Sequence, residues 1–259
     1  MVRARKLGRR AARIESGRFL AEGPQAVREA LASGLVLEVF VTPEGEHRHP
    51  DLVQLALERG QQLLDVDEKT FSSLCDTVNP QGLAAVARIP QVTLADAIGE
   101  HARLVVVLVE ARDPGNVGTI IRIADAAGAD AVVLTADSVD PFNAKSVRAS
   151  AGSIFHLPVA CGISLADLSG QLREVGLATV AAAGEADRSV FDPSVTALLA
   201  NPMAWLFGNE AHGLSQPALD LCSITLRVPI YGGAESLNLA AAAAVCIYAS
   251  ATAQRSPFR

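Results

Sequence analysis

From Leu104 the chain runs LVVVLVEA over 104–111, with apolar residues following one another without alternation. A strand with one wet face alternates polar and apolar positions. One that is apolar throughout must be covered on both faces, the situation of an interior strand in a parallel sheet flanked by helices. That run therefore constrains the second half of the chain to an α/β arrangement. The rest of the pattern agrees: helical periodicity over 117–129 stopping at Gly128, then strands over 131–135, 157–160, 177–183, 203–208 and 224–229. Helices are predicted between them at 142–152, 165–176 and 215–222, and a long one closes the chain at 235–251.

Ahead of this lies a smaller α/β pattern. FLAEG at 19–23 precedes a helix at 24–34, with Pro24 suited to the first turn and Gly34 to the stop. Strands over 36–44, 61–67 and 82–90 alternate with helices over 50–60 and 68–76, and a linker helix is expected within 90–103. The expected organisation is a small α/β domain over residues 1–95 and a parallel-sheet α/β domain over 96–259. With half of its 259 residues apolar and 19% charged, the chain has the composition of a compact protein.

Cys75, Cys161, Cys222 and Cys246 form no close-spaced pair, so neither a metal site nor a disulfide framework is expected, and a cytoplasmic location fits. The opening MVRARKLGRR has no apolar core behind it, and the longest apolar stretch, 237–251, is interrupted by Asn238. No signal peptide and no membrane span are expected.

The net charge of −6 conceals an asymmetry. Residues 1–28 hold Arg3, Arg5, Lys6, Arg9, Arg10, Arg13, Arg18 and Arg28 against Glu15 and Glu22, a net +6 that leaves −12 for the remainder. A basic head of this density can contact several phosphates of a nucleic acid; a solvated first helix is the plainer reading.

Three segments can carry chemistry. In Asp113-Pro-Gly-Asn116-Val-Gly118-Thr-Ile-Ile-Arg122 a strand gives way to a turn and a helix, with Asn116 near the helix start and Arg122 about two turns in. An arginine inside IIRIADAAG is costly to bury without an anion; otherwise Asn116 is a cap and Arg122 a solvated or paired side chain. In Trp205-Leu-Phe-Gly208-Asn-Glu210-Ala-His212-Gly213-Leu-Ser215 a strand runs into a polar turn that can present backbone groups to a ligand, or that ends in a helix cap at Ser215. In Val228-Pro-Ile230-Tyr-Gly-Gly233-Ala-Glu235-Ser236-Leu237-Asn238 two glycines permit an irregular loop, and Ser236 and Asn238 flank the start of an Ala-rich helix. Ser236 is either a cap or a site residue; no Ser/His/Asp elbow accompanies it.

In this order the three segments resemble the conserved blocks of the SpoU, or TrmH-type, RNA ribose 2'-O-methyltransferases of the knotted SPOUT superfamily, across roughly residues 104–253. Within them only Asn209 and Ala211–His212 stand at positions that vary in the family. The front unit resembles the ribosomal-protein-like substrate-binding domain that many members carry. The resemblance implies a deep trefoil knot at the carboxyl end, S-adenosylmethionine held by backbone around Gly208, Val228, Ile230 and Leu237, and a homodimer through the knot region. It implies Arg122 as the central catalytic residue, with Asn116, Glu210, Ser236 and Asn238 arranging it and the ribose. A guanidinium scarcely loses its proton, so phosphate binding and alkoxide stabilisation suit Arg122 better than general-base work. The expected partner is RNA, ribosomal rather than transfer. An inactive RNA-binding or ribosome-assembly protein of the same fold, a transfer-RNA ribose methyltransferase and a base-methylating knotted enzyme are the alternatives.

Overall fold

A computed structural model describes residues 2–255. They form two compact units: residues up to Gln91 with Asp140–His156, and Val92–Val139 with Leu157 onward. Asp140–His156, expected within the second domain, thus packs with the first unit; residues 256–259 of that expected domain lie outside the described residues.

The first unit is built on a four-stranded sheet of β1 (Arg18–Glu22), β2 (Val36–Val41), β3 (Gln62–Asp65) and β4 (Leu83–Arg88) in the order β1-β4-β2-β3. Strands β1 and β2 flank β4 antiparallel, and β3 joins β2 in parallel. Pro24 opens the Pro24–Ser33 helix and Gly34, left-handed at φ 72°, ends it. The basic head is folded: Ala4 and Leu7 are buried with Phe40, Phe71 and Val86. Arg13 is 4% exposed, donates to the Leu7 carbonyl at 2.7 Å and pairs with Asp140 at 2.6 Å. It is a structural tie, not one of the free cations that its place in the head implied. Arg28 pairs with Asp51 at the surface. Arg148 bridges the buried Glu22 and Asp76 at 3.0 and 2.9 Å.

The second unit contains a six-stranded parallel sheet of β5 (Leu104–Leu108), β6 (Ala131–Thr135), β7 (Val159–Ile163), β8 (Ala178–Ala182), β9 (Met203–Phe207) and β10 (Ile224–Leu226), in the order β10-β8-β9-β5-β6-β7. Every residue of β5, β6 and β9 is buried, as their unbroken apolar sequences require. Each such Val or Leu contributes about 1.5–3 kcal/mol relative to exposure.

Two helices of the second unit differ most from the sequence pattern. A helix at Pro193–Leu199, capped by Asp192, precedes β9; at two turns it is too short to display a periodicity. The last helix is Leu239–Arg255, not one beginning at Glu235. Asn238 fixes that start, its Oδ1 accepting from the amides of Ala240 and Ala241 at 2.9 and 3.4 Å, so Asn238 and not Ser236 is the cap. This C-terminal helix packs on the Pro114–Ala126 helix, and small residues such as Ala240 and Ala243 are buried along it. Ser250 accepts from Trp205 Nε1 at 2.8 Å, anchoring the helix to β9. Gln254 donates to the carbonyls of Arg103 and Asn201, just before β5 and β9. The helix therefore runs back against the strands, with its amino end at their carboxyl edge. Among the described residues no helix is long and apolar enough to cross a membrane.

Candidate active site

In the parallel sheet β5 and β9 are neighbours although far apart in sequence, and the chain departs from them toward opposite edges. Such a switch point leaves a crevice beyond the carboxyl ends of the strands. Three loops meet there: 109–113 after β5, 208–215 after β9, and 227–238 after β10.

Side chains from all three signature segments are joined. Asp113 caps the Pro114–Ala126 helix, accepting from the Asn116 amide at 2.8 Å. The Asn116 side chain is consequently free to look outward. Its Nδ2 donates to Glu210 at 3.1 Å, and its Oδ1 accepts from Asn238 Nδ2 at 3.0 Å. Glu210 also accepts from the amides of Arg112 and Asp113, each at 3.2 Å. Asn238 thus ties the amino end of the last helix to Asn116, Asn116 ties it to Glu210, and Glu210 closes on the β5 loop.

Partial burial pushes the Glu210 carboxyl up, but its own backbone amide, the Asn116 side chain and the two β5-loop amides outweigh it, and its pKa is lowered below the ordinary 4.5. Glu210 is an ionised acceptor at neutral pH, without a proton to give.

The loop after β9 depends on Gly208. A Cβ there would come within 2.2 Å of the Gly213 carbonyl carbon and 2.3 Å of Leu214 N, because Asn209 and Gly213 exchange backbone hydrogen bonds at 2.9 and 2.8 Å and fold the loop back on itself. Ser215 stands at the N-cap of the Gln216–Leu219 helix, but its side chain makes no capping bond.

The remaining predicted residues are distributed differently. Arg122 is exposed on its helix and makes no hydrogen bond or ion pair with the described residues, so no burial cost arises. It lies six residues beyond Asn116, roughly 9 Å along the axis and about a third of a turn away around it. Ser236 is exposed in the 227–238 loop and likewise unbonded to the described residues. Val228 is half-buried, and Ile230 and Leu237 are exposed in the same loop. From Val228 to Leu237 the backbone makes no hydrogen bond with the described residues, leaving its amides and carbonyls available. A donor and acceptor set made of main chain fits a nucleoside-bearing cofactor held by backbone.

Sequence reasoning missed Glu110 and Arg112 here, and gave Asn209, His212 and Ser215 no place in the site. Glu110, Arg112, Asn209, His212 and Ser215 line a cavity of about 430 Å³. Glu110 has φ 52°, left-handed for a residue that is not glycine. Nothing in its side-chain type announces that conformation.

A parallel α/β sheet with a polar three-loop cluster at its switch point defines a ligand-binding α/β protein, and comparison with known proteins identifies its class. The SpoU rRNA Methylase family profile matches residues 103–248, and that of the MRM3-like substrate binding domain matches residues 2–85. The chain is 38% identical to the 23S rRNA (guanosine(2553)-2'-O)-methyltransferase RlmP of Bacillus subtilis (strain 168), over 94% of this chain and 92% of the relative. It is similar to the AdoMet-bound rRNA methyltransferase from Sinorhizobium meliloti, with TM-score 0.83 and 30% identity over 96% of this chain and 92% of the other. It is similar also to the SpoU methyltransferase AviRb from Streptomyces viridochromogenes, with TM-score 0.85 and 28% identity over 98% and 96%. The chain belongs to the SpoU rRNA methylase family.

Proposed function

We propose that this protein is an S-adenosylmethionine-dependent RNA methyltransferase that methylates a ribose 2'-hydroxyl of ribosomal RNA. A guanosine of large-subunit RNA is the favoured target, since the RlmP relative named above acts on one and matches over nearly the whole chain. The carrying observation is the hydrogen-bonded series from Asn238 through Asn116 to Glu210 and the amides of Arg112 and Asp113. It brings the three signature segments to one crevice.

Bound S-adenosylmethionine supplies an electrophilic methyl group on sulfur. Backbone around Gly208, Val228, Ile230 and Leu237 is assigned to holding it, a role supported by the unpaired main chain from Val228 to Leu237. The ribose oxygen must be aligned behind the methyl carbon, and its proton must leave as the new bond forms. Asn116, Asn238 and Ser236 are assigned to orienting the ribose. Glu210, ionised, fixes Asn116 and the β5 loop and is not the acid or base. Arg122 is assigned to a backbone phosphate and to the charge developing on oxygen, a role open to an exposed guanidinium on the helix that carries Asn116.

The first unit is assigned to RNA recognition. Arg3, Arg5, Lys6, Arg9 and Arg10 are exposed and unpaired among the described residues, whereas residues 96–259 carry 10 basic and 16 acidic side chains. A trefoil knot formed by the 208–215 and 227–238 loops is part of the proposal. It is supported by the path from β10, at the sheet edge, back to Asn116 beside β5. A homodimer and a cytoplasmic location are also part of the proposal.

The test is incubation with methyl-labelled cofactor and RNA from cells lacking the gene, followed by nucleoside analysis. Label on ribose of ribosomal RNA is expected. Label on a base would make this a base methyltransferase, label on transfer RNA would reassign the substrate, and no label with retained RNA binding would mark an inactive assembly protein.

A further inference from the structure

We infer that Asn209 is a positioning residue for methyl transfer, acting by holding the backbone of Glu110 in its left-handed conformation. The inference rests on the function proposed above and deepens it.

Glu110 follows β5 with φ 52°. A residue with a Cβ is strained there and stays only when its surroundings over-determine it. Two side chains from different strand ends do so. Thr135, the last residue of β6, accepts from the Glu110 amide at 2.9 Å, and Asn209 Nδ2 donates to the Glu110 carbonyl at 3.0 Å. Asn209 is itself held, its Oδ1 accepting from the Ala211 amide at 2.8 Å. Both ends of the Glu110 residue are therefore clamped. The turn at Glu110 directs the following backbone so that the amides of Arg112 and Asp113 meet Glu210, the carboxylate that orients Asn116. Asn209 sets the β5 loop on one side of the cluster while its sequence neighbour Glu210 receives that loop on the other.

Aspartate at 209 keeps the acceptor toward Ala211 and replaces the donor toward Glu110 by an oxygen that repels the carbonyl. Glycine at 110 adopts the left-handed conformation without strain and removes the need for the clamp. The experiment is a double-mutant cycle of Asn209→Asp and Glu110→Gly, measuring kcat and both KM values for ribose methylation, with thermal melting as a control. N209D is expected to lower kcat ten- to a hundredfold, the cost of about an ångström of misplacement, with KM for the cofactor within about threefold. In the E110G background the same change should cost less than about threefold. An equal cost in both backgrounds, an unchanged kcat in N209D, or an inactive E110G would each overturn the inference, the last by showing that the carboxylate and not the backbone is needed. Absence of ribose methylation by the unaltered protein would instead refute the proposed function.

Discussion

A carboxylate that accepts hydrogen bonds from one side chain and two neighbouring amides gives up its charge reluctantly, and Glu210 is of this kind. Its folded pKa is lowered, so its contribution to stability is complete above the ordinary value of 4.5 and is lost as pH falls through the lower folded value. Glu210→Gln is accordingly expected to reduce kcat by about ten- to a hundredfold through misorientation. The shape of the kcat–pH profile between about pH 6 and 9 should not change, since the carboxylate is ionised throughout that range. A displaced limb in that profile would mean that Glu210 handles the reacting proton. Arg122→Ala should leave cofactor affinity, measured by calorimetry, near normal and abolish turnover; a protein that no longer binds cofactor but turns over normally per bound site would remove Arg122 from the reaction. Gly208 makes a separate demand. Gly208→Ala drives a methyl into the Gly213 carbonyl, backbone that cannot swing aside, and should cost about 1–3 kcal/mol by denaturant titration.

At the scale of elements, the charge count of the head merges a structural part with the proposed RNA-binding one. Arg13 is buried against Asp140, and Ala4 and Leu7 are core residues, so removing the first eighteen residues would unpack the unit as well as discharge it. Point substitutions separate the roles. Arg13→Ala strands a half-enclosed carboxylate and should destabilise by about 3–5 kcal/mol, whereas Arg5→Ala, Arg9→Ala and Arg10→Ala together should leave stability nearly unchanged. The triple variant should lower the slope of log affinity for single-stranded RNA against log salt by about 2, from about 0.7 per lost phosphate contact. An unchanged slope would take the head out of RNA binding. The same contrast explains what was legible. The strands and the longer helices stood out because apolar residues recur at the spacing that burial imposes, as at Leu104–Leu108 and in the Pro114–Ala126 helix. The helix Pro193–Leu199 did not, being too short, and the start of the last helix turned on which of Ser236 and Asn238 caps. The three site segments were readable as an ordered set. Their wiring was not, because the Asn209–Glu110 bond joins residues 99 apart through a backbone angle that side-chain identity does not encode.

At the scale of the whole molecule, the proposed homodimer needs a surface that one chain leaves open. The C-terminal helix and the Pro193–Leu199 helix border a groove of about 970 Å³ whose lining includes Val190, Phe191, Val245 and Tyr248. Phe191 is 56% and Tyr248 47% exposed, large for aromatic side chains on one mainly apolar groove. The same helix is capped by Asn238, inside the site cluster, so a partner chain packed along it would bear on the 227–238 loop as well as on the groove. The exposed Tyr231, Ile230 and Leu237 of that loop are further apolar surface for such a partner to cover. Phe191→Asp combined with Tyr248→Asp places two charges on this surface without touching the sheet. Sedimentation is expected to show a dimer for the unaltered protein and a monomer for the double variant, with unchanged far-ultraviolet circular dichroism. Ribose methylation should fall at least about tenfold, because the 227–238 loop loses its covering chain. A double variant that remains dimeric would move the interface away from this groove, and a monomeric protein that is fully active would remove the second chain from the site altogether.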